Sequence, residues 1–223
     1  MSEFLHPNPT PWGYIVDAQA LPDLITAQEF TQYTNGKFGT TDQRIAPNIT
    51  SASASIRNYC GWHIAPSLVC GMLYNVNDLR DAFIGRDLLI QLPAAFITSV
   101  SKIVLNARLN ADTGDYEGDV IDEDNYDASQ SGLIRIFDAG ILDRRSKIFI
   151  KYTAGYEGAT VADVKEIAAS GVVHALTNTY GVNSEAAGGV SVSYNAAWSG
   201  KGSTALANDT RSTLDAYKAR RVF

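Results

Sequence analysis

The amino-acid sequence predicts an α+β protein: a small helical bundle with a β-rich insertion, an extended N-terminal arm and a C-terminal helix. Apolar residues recur at helical spacing in two stretches, near residues 45–60 and 160–176. Between them, short runs are rich in β-branched and aromatic residues. Helical and strand-like segments that are separated in this way along a chain are typical of α+β folds.

The first 22 residues predict an extended arm, because they carry four of the seven prolines and show no periodicity. The prolines also stand where a signal peptide would need an apolar core. The segment is nevertheless too apolar for a tail that makes no contact with another surface. We therefore expect it to lie on a neighbouring subunit through four residues: Phe4, Leu5, Trp12 and Tyr14.

Two helices are expected before residue 66. Thr26 is a suitable N-cap and Glu29 completes a capping box, so the first helix begins there and ends before Asn35. The second helix is predicted from an apolar stripe, with Pro47 in its first turn and Gly61 after its end. The stripe comprises Ile45, Ile49, Ala52, Ile56, Tyr59 and Cys60.

The middle of the chain predicts strands. Five runs have the composition of strands: Leu68–Tyr74, Asp87–Leu92, Ile97–Leu105, Leu133–Phe137 and Lys147–Tyr156. In the last run Ile148 and Ile150 alternate with Phe149 and Lys151, which is the period of a half-buried strand. The acidic run 112–127 contains eight of the 24 acidic residues and is expected to be a surface loop.

Helical signals return after residue 158. Thr160 and Asp163 fit a capping box, and Gly181 fits the end of the helix. Its expected buried face comprises Val164, Ile167, Ala168, Gly171, Val172, Ala175 and Leu176. A short strand near 190–194, a flexible loop over 195–209 and a terminal helix over 211–220 are expected to follow.

These elements predict three parts of the chain. Residues 1–22 form the arm, residues 23–66 and 158–223 form a helical core with a C-terminal tail, and residues 67–157 form the β-rich insertion.

Composition limits the function. The net charge of −6, without a basic stripe, argues against a protein that grips nucleic acid. No segment approaches the about 20 apolar residues of a membrane span. Cys60 and Cys70 lack the partners of a zinc site, and we expect two buried free thiols, with a disulfide as the alternative.

No constellation for catalysis, cofactor binding or metal binding is recognisable. His174 and Asp163 lie about 16 Å apart along one helix, too far for a catalytic dyad. His63 follows a helix end, where its charge would suit the helix dipole. The acidic run begins like a calcium-binding EF-hand loop, but Val120 and Tyr126 replace the required Gly and Glu. We therefore expect a structural protein and not an enzyme.

Several segments, taken in order, resemble the head–tail connector (adaptor) proteins of tailed bacteriophages. Ala52–Pro66 is similar to their first main helix, and Lys151–Tyr156 with 162–165 to their second half. Residues 85–89 and 97–103 resemble their strand segment, and Asn183–Tyr194 their post-helix hairpin. The likeness runs over about residues 21–223.

The resemblance implies a homo-oligomeric ring, a dodecamer, on the portal protein at the head–tail interface of the virion. The protein would be assembled in the host cytoplasm, extend the DNA channel without binding DNA specifically, and present a surface to the stopper or tail completion protein. It would make no contact with a membrane.

The C-terminus is the expected portal-binding segment, because it is locally basic and the family's C-terminal tails engage the portal. The candidate residues are Arg211, Leu214, Tyr217, Lys218, Arg220, Arg221 and Phe223. The alternative is a terminal helix that folds back onto its own core. A rival function is a carbohydrate- or surface-binding tail module that uses Trp12, Trp62 and Trp198 as a stacking platform.

Overall fold

The computed structural model describes residues 9–10, 13–15, 21–140, 142–177, 184–187, 190–193 and 208–219. The chain divides into two compact units, each built from segments that are distant in sequence. The helical unit comprises residues 22–60 and 157–218, and the β unit is formed mainly by residues 61–156. The α-helices lie in the helical unit together with a two-stranded antiparallel sheet, and the two larger antiparallel sheets lie in the β unit, so the protein has the predicted α+β fold.

The described residues contain four α-helices: α1 (Ala27–Tyr33), α2 (Ile45–Cys60), α3 (Ala162–Thr177) and α4 (Asn208–Leu214). Their first six strands are β1 (Pro9–Thr10), β2 (Gly13–Ile15), β3 (Leu68–Asn75), β4 (Phe83–Ile84), β5 (Asp87–Gln91) and β6 (Ile97–Leu109). The others are β7 (Tyr116–Val120), β8 (Tyr126–Ala128), β9 (Leu133–Ile136), β10 (Lys147–Ala154), β11 (Ser184–Ala187) and β12 (Val190–Ser193).

The predicted stripes of α2 and α3 form the core of the helical unit. Pro47 lies in the first turn of α2, where its missing N–H costs no hydrogen bond. The predicted stripe residues that are buried in the structure are Ile45, Ile49, Ala52, Ile56 and Cys60 in α2, and Val164, Ala168, Gly171, Val172 and Leu176 in α3. Tyr59, Ile167 and Ala175 are only partly buried, so the 3.6-residue period identified most but not all of the two predicted faces.

The capping box of α1 is confirmed. The Glu29 N–H donates to Thr26 Oγ1 at 3.1 Å, and the Thr26 N–H donates to Glu29 Oε2 at 2.7 Å. The other carboxylate oxygen, Glu29 Oε1, accepts from Lys165 Nζ of α3 at 2.6 Å. Glu29 therefore links the start of α1 to α3.

Replacing Glu29 by glutamine is expected to lower the free energy of unfolding by about 1 kcal/mol at pH 7, because the amide keeps the cap but removes the ion pair. Burial raises the pKa of Glu29, but the hydrogen bonds from Lys165 and Thr26 lower it by more. The pKa of this carboxyl group in the folded protein therefore lies below its ordinary value. This stabilisation is present above the unfolded-state pKa and is lost as pH falls through the lower folded-state pKa. Urea unfolding should therefore separate the two proteins at pH 7 and not at pH 3; an equal difference at both would contradict the assignment.

The capping box predicted for α3 is wrong. Thr160 lies in a 3-10 turn, Gly158–Val161, that leads directly into the helix, and its hydroxyl donates to the Glu157 carbonyl at 2.7 Å. Asp163 instead accepts from the N–H of the next residue, Val164, at 2.8 Å. Because the turn continues into the helix, α3 begins at Ala162, two residues beyond the predicted cap.

The β unit contains two antiparallel sheets. The larger has the strand order β1-β2-β3-β10-β6-β7, and the smaller has the order β4-β5-β9-β8. Strand β10 lies between β3 and β6, which explains why Ile148, Ile150, Tyr152 and Ala154 are buried. The prediction of a half-buried strand is wrong at Phe149, which is also buried.

The burial of Phe149 is connected with an error in the predicted acidic loop. The run 112–127 contains strand β7 and the start of β8. Tyr116 of β7 stacks on Phe149 with ring centroids 4.4 Å apart, and Lys102 of β6 donates to Asp115 Oδ2 at 2.9 Å. Because most residues of the run are exposed and many are acidic, its composition did not predict a strand. A single buried aromatic residue, Tyr116, fixes β7 to the sheet.

Candidate assembly surfaces

Residues 61–66 and 151–156, which belong to two of the segments that carry the family resemblance, meet at the end of β10, inside the β unit. His63 is buried, and its Nε2 lies 2.9 Å from the Ala154 carbonyl oxygen. The Tyr156 N–H donates to the Ile64 carbonyl at 2.8 Å. His63 is thus a packed, hydrogen-bonded residue of the β unit.

Trp62 is not available as a stacking platform for a sugar. Its side chain is 0% exposed, with its ring centroid 5.8 Å from Tyr156 at a steep angle. Tyr156 in turn stacks on Phe96 at 4.7 Å. Trp62 therefore serves the core of the β unit, while Trp12 and Trp198 lie outside the described residues.

The C-terminal segment folds back onto the helical unit. Leu214 is 0% exposed, and the Tyr217 hydroxyl lies 2.7 and 2.9 Å from the two carboxylate oxygens of Asp163. The Tyr59 hydroxyl donates to Asp215 Oδ1 at 2.8 Å. Helix α4 begins at Asn208, inside the predicted loop, and ends at Leu214, followed by a 3-10 turn to Tyr217. Leu214 and Tyr217 therefore face their own unit.

Two basic side chains remain on the outside of this segment. Arg211 is exposed, and Lys218 Nζ lies 2.7 Å from Asp215 Oδ1 and 4.0 Å from the centroid of the Tyr59 ring. Arg220, Arg221 and Phe223 lie outside the described residues. Among the described candidates, Arg211 is the cation best placed to meet a partner, since Lys218 is already paired.

A groove of about 340 Å³ in the helical unit is bordered by Thr210 and Thr213 of α4, the helix that also carries the exposed Arg211. It is lined by Tyr33, Asp163, Glu166, Ile167, Ser170, Thr210 and Thr213. Tyr33 is 45% exposed, and burial together with the charge of Glu166 raises the pKa of its phenol. Because an exposed aromatic ring and an arginine are common anchors of protein interfaces, this groove is a candidate docking surface.

The N-terminal arm is described only in part. Tyr14 lies in β2, whose backbone pairs with Gly71 of β3 in the same chain. Phe4, Leu5 and Trp12 lie outside the described residues. The contact of the arm with a neighbouring subunit stays a prediction.

Both cysteines are free and buried, as expected. Burial raises the pKa of each thiol to about 12. Neither is a ready nucleophile, because the thiolate is the reactive form. No cluster of potential metal ligands occurs among the described residues, and within the same ranges no helix is long and apolar enough to span a membrane.

Comparisons with known proteins add two findings. A family model described as head completion protein matches residues 23–219. A chain from a solved structure, the virion of a native gene transfer agent particle, is similar with a TM-score of 0.51 and 14% sequence identity, over 90% of this chain and 92% of that chain. At this identity the likeness shows the fold alone. No curated protein matches the sequence.

Proposed function

Because the chain belongs to the head completion protein family and is thus a structural, connector-type component of a phage virion, we propose that it forms a ring on the portal. The ring extends the DNA channel from the head and offers its opposite face to the stopper or tail completion protein. In this role the protein catalyses no reaction and needs no cofactor.

The observation that carries the proposal is the family match over nearly the whole chain. The net charge of −6 is consistent with a channel that passes DNA, because repeated acidic side chains repel phosphate and do not hold it. A ring of identical copies also requires two different contact surfaces on each subunit.

We place the portal contact on this groove, on the exposed Arg211 of α4 and on the last residues of the chain. The burial of Leu214 modifies the original hypothesis, since α4 belongs to the folded body of the helical unit. The exposed guanidinium of Arg211 and the ring of Tyr33 are the parts of this surface that a partner can reach. Arg220, Arg221 and Phe223 are proposed to extend the contact.

Arg211→Glu is expected to weaken binding to purified portals by about tenfold or more, because charge reversal replaces an attraction by a repulsion at the interface. Co-sedimentation of the protein with portals measures the effect. Arg86→Glu is the matched control, because Arg86 is an exposed arginine of the β unit with only a long 3.5 Å ion pair to Asp138.

Removal of residues 220–223 tests the end of the chain without disturbing Leu214 or Tyr217. Reduced portal binding by this truncation and by Arg211→Glu, with full binding by the control, supports the proposed contact. Equal binding by all three variants would place the attachment elsewhere. Failure of the wild-type protein to bind portals would overturn the proposed function.

A further inference from the structure

The β unit contains a basic groove on an otherwise acidic chain. Its volume is about 550 Å³, and it lies where β6 ends and β10 begins. Arg108, Arg145 and Lys147 line it, against a single acidic residue, Asp143. Asp143 Oδ1 accepts from the backbone N–H of Arg145 at 3.0 Å. The groove therefore carries an excess of positive charge.

Neither Arg108 nor Arg145 forms an ion pair with any residue in the described ranges. Glu117 lies opposite Arg108 across the β6–β7 pairing, but its carboxylate accepts from Asn110 Nδ2 at 2.7 Å. The guanidinium groups are therefore available to an acidic partner, to which arginine can bind in a bidentate manner.

An acidic turn, whose charge is opposite to that of the groove, lies elsewhere in the same unit. Asp122, Glu123 and Asp124 are exposed, and none of them has an ion pair within the described part of the chain. The backbone holds this turn at both ends: the Ile121 N–H donates to Ile103 at 3.0 Å, and the Phe137 N–H donates to Asn125 at 2.9 Å. Such a fixed turn loses little conformational entropy when it binds.

The turn and the groove do not neutralise each other within one copy. Ile121 is bonded beside Ile103, whereas Arg108 lies five residues further along β6, a distance of about 16 Å at the rise of an extended strand. That distance exceeds the combined reach of an arginine and an acidic side chain. Each surface is thus left to solvent or to another molecule.

We propose that the basic groove of one copy binds the acidic turn of a second copy, and that this contact repeats around the ring. The inference rests on the proposed function, which supplies the ring. A contact between two different patches is heterologous, and heterologous contacts generate closed rings when the rotation between copies closes. Charge complementarity fixes the partner and the direction of this contact.

Disulfide trapping between two variants that each carry one added cysteine tests the contact. Asp124→Cys protein is mixed with Arg145→Cys protein and oxidised at low salt. The native thiols do not interfere, because both are buried with a pKa of about 12. We expect the mixed disulfide to form about tenfold faster than with Arg86→Cys as the partner, a control arginine that is exposed in the same unit. Equal rates with the two partners would overturn the proposal.

Charge reversal gives a second, independent measurement. Arg108→Glu added to the Arg145→Cys protein should slow trapping about tenfold, and Asp122→Arg added to the Asp124→Cys protein should restore it. Loss without restoration would mean that Arg108 does not face Asp122 or its neighbours, and would contradict the contact as stated.

The outcomes separate this contact from the proposed function. If the wild-type protein binds portals but the cysteine variants show no specific trapping, the connector role stands and the proposed contact is overturned. If the cysteine variants are trapped specifically but the wild-type protein does not bind portals, the contact stands and the connector role is overturned.

Discussion

Replacing Gly155 by alanine is expected to lower the free energy of unfolding by about 4 kcal/mol, among the largest effects of a single substitution. Gly155 has a φ of +117°, outside the region that residues with a side chain adopt. A Cβ there would stand 2.8 Å from His63 Nε2 and would overlap the Pro66 carbonyl. Backbone strain and overpacking each cost about 1–3 kcal/mol, so both contribute to the expected loss.

Gly140→Ala is the matched control, because Gly140 also has a positive φ, +70°, but among the described residues beyond its chain neighbours no atom lies within 4 Å of the added Cβ. We expect it to cost about 1 kcal/mol, from the backbone conformation alone. Thermal or urea unfolding of the two variants measures the difference. If Gly155→Ala proved no more costly than Gly140→Ala, the close approach of the two chain segments would be incorrect.

This glycine shows what a sequence motif can and cannot predict. The run from Lys151 to Tyr156 was identified by resemblance, and its glycine had no evident reason. The reason is non-local: Gly155 passes against Pro66, 89 positions earlier in the sequence, where no side chain fits. The two segments of the resemblance are thus one structural feature, a contact between the residues after α2 and the end of β10.

Local patterns predicted the elements that depend on local physics. The stripes of α2 and α3, the Thr26–Glu29 cap and strands β3, β5, β6, β9 and β10 were predicted, because periodicity and capping act within a few residues. The cap of α3 was wrong because a 3-10 turn has its own hydrogen bonds and carries no apolar signal. Strand β7 was not predicted, because four of its five residues are exposed. Its place in the sheet depends on one tertiary contact, the stacking of Tyr116 on Phe149.

The candidate sites were harder to predict because they depend on which side chains the fold buries. Trp62 and Leu214 were both predicted to contact another molecule, which requires an exposed side chain. In the structure both side chains are 0% exposed. The basic groove was not recognised, because Arg108 is separated from Arg145 and Lys147 by nearly 40 positions and only the pairing of β6 with β10 unites them.

Leu214→Ala is expected to lower the free energy of unfolding by about 3 kcal/mol, the usual cost of truncating a fully buried leucine. The side chain is 0% exposed, and the segment that carries it is fixed by the bonds of Tyr59 to Asp215 and of Tyr217 to Asp163. Removal of residues 208–223 should therefore destabilise the protein more than Leu214→Ala does, since it deletes this leucine and both bonds. Chemical denaturation monitored by circular dichroism measures both effects.

Arg211→Ala is the control for this helix, because Arg211 is exposed one turn away, and its truncation should change stability by less than about 0.5 kcal/mol. The pair separates the two roles of the C-terminal segment. Leu214→Ala should reduce stability and, under conditions where the variant remains folded, leave portal binding unchanged. Arg211→Ala should do the reverse. A Leu214→Ala protein as stable as wild type would mean that α4 leaves the helical unit in solution, and would restore the original hypothesis that the whole helix docks on the portal.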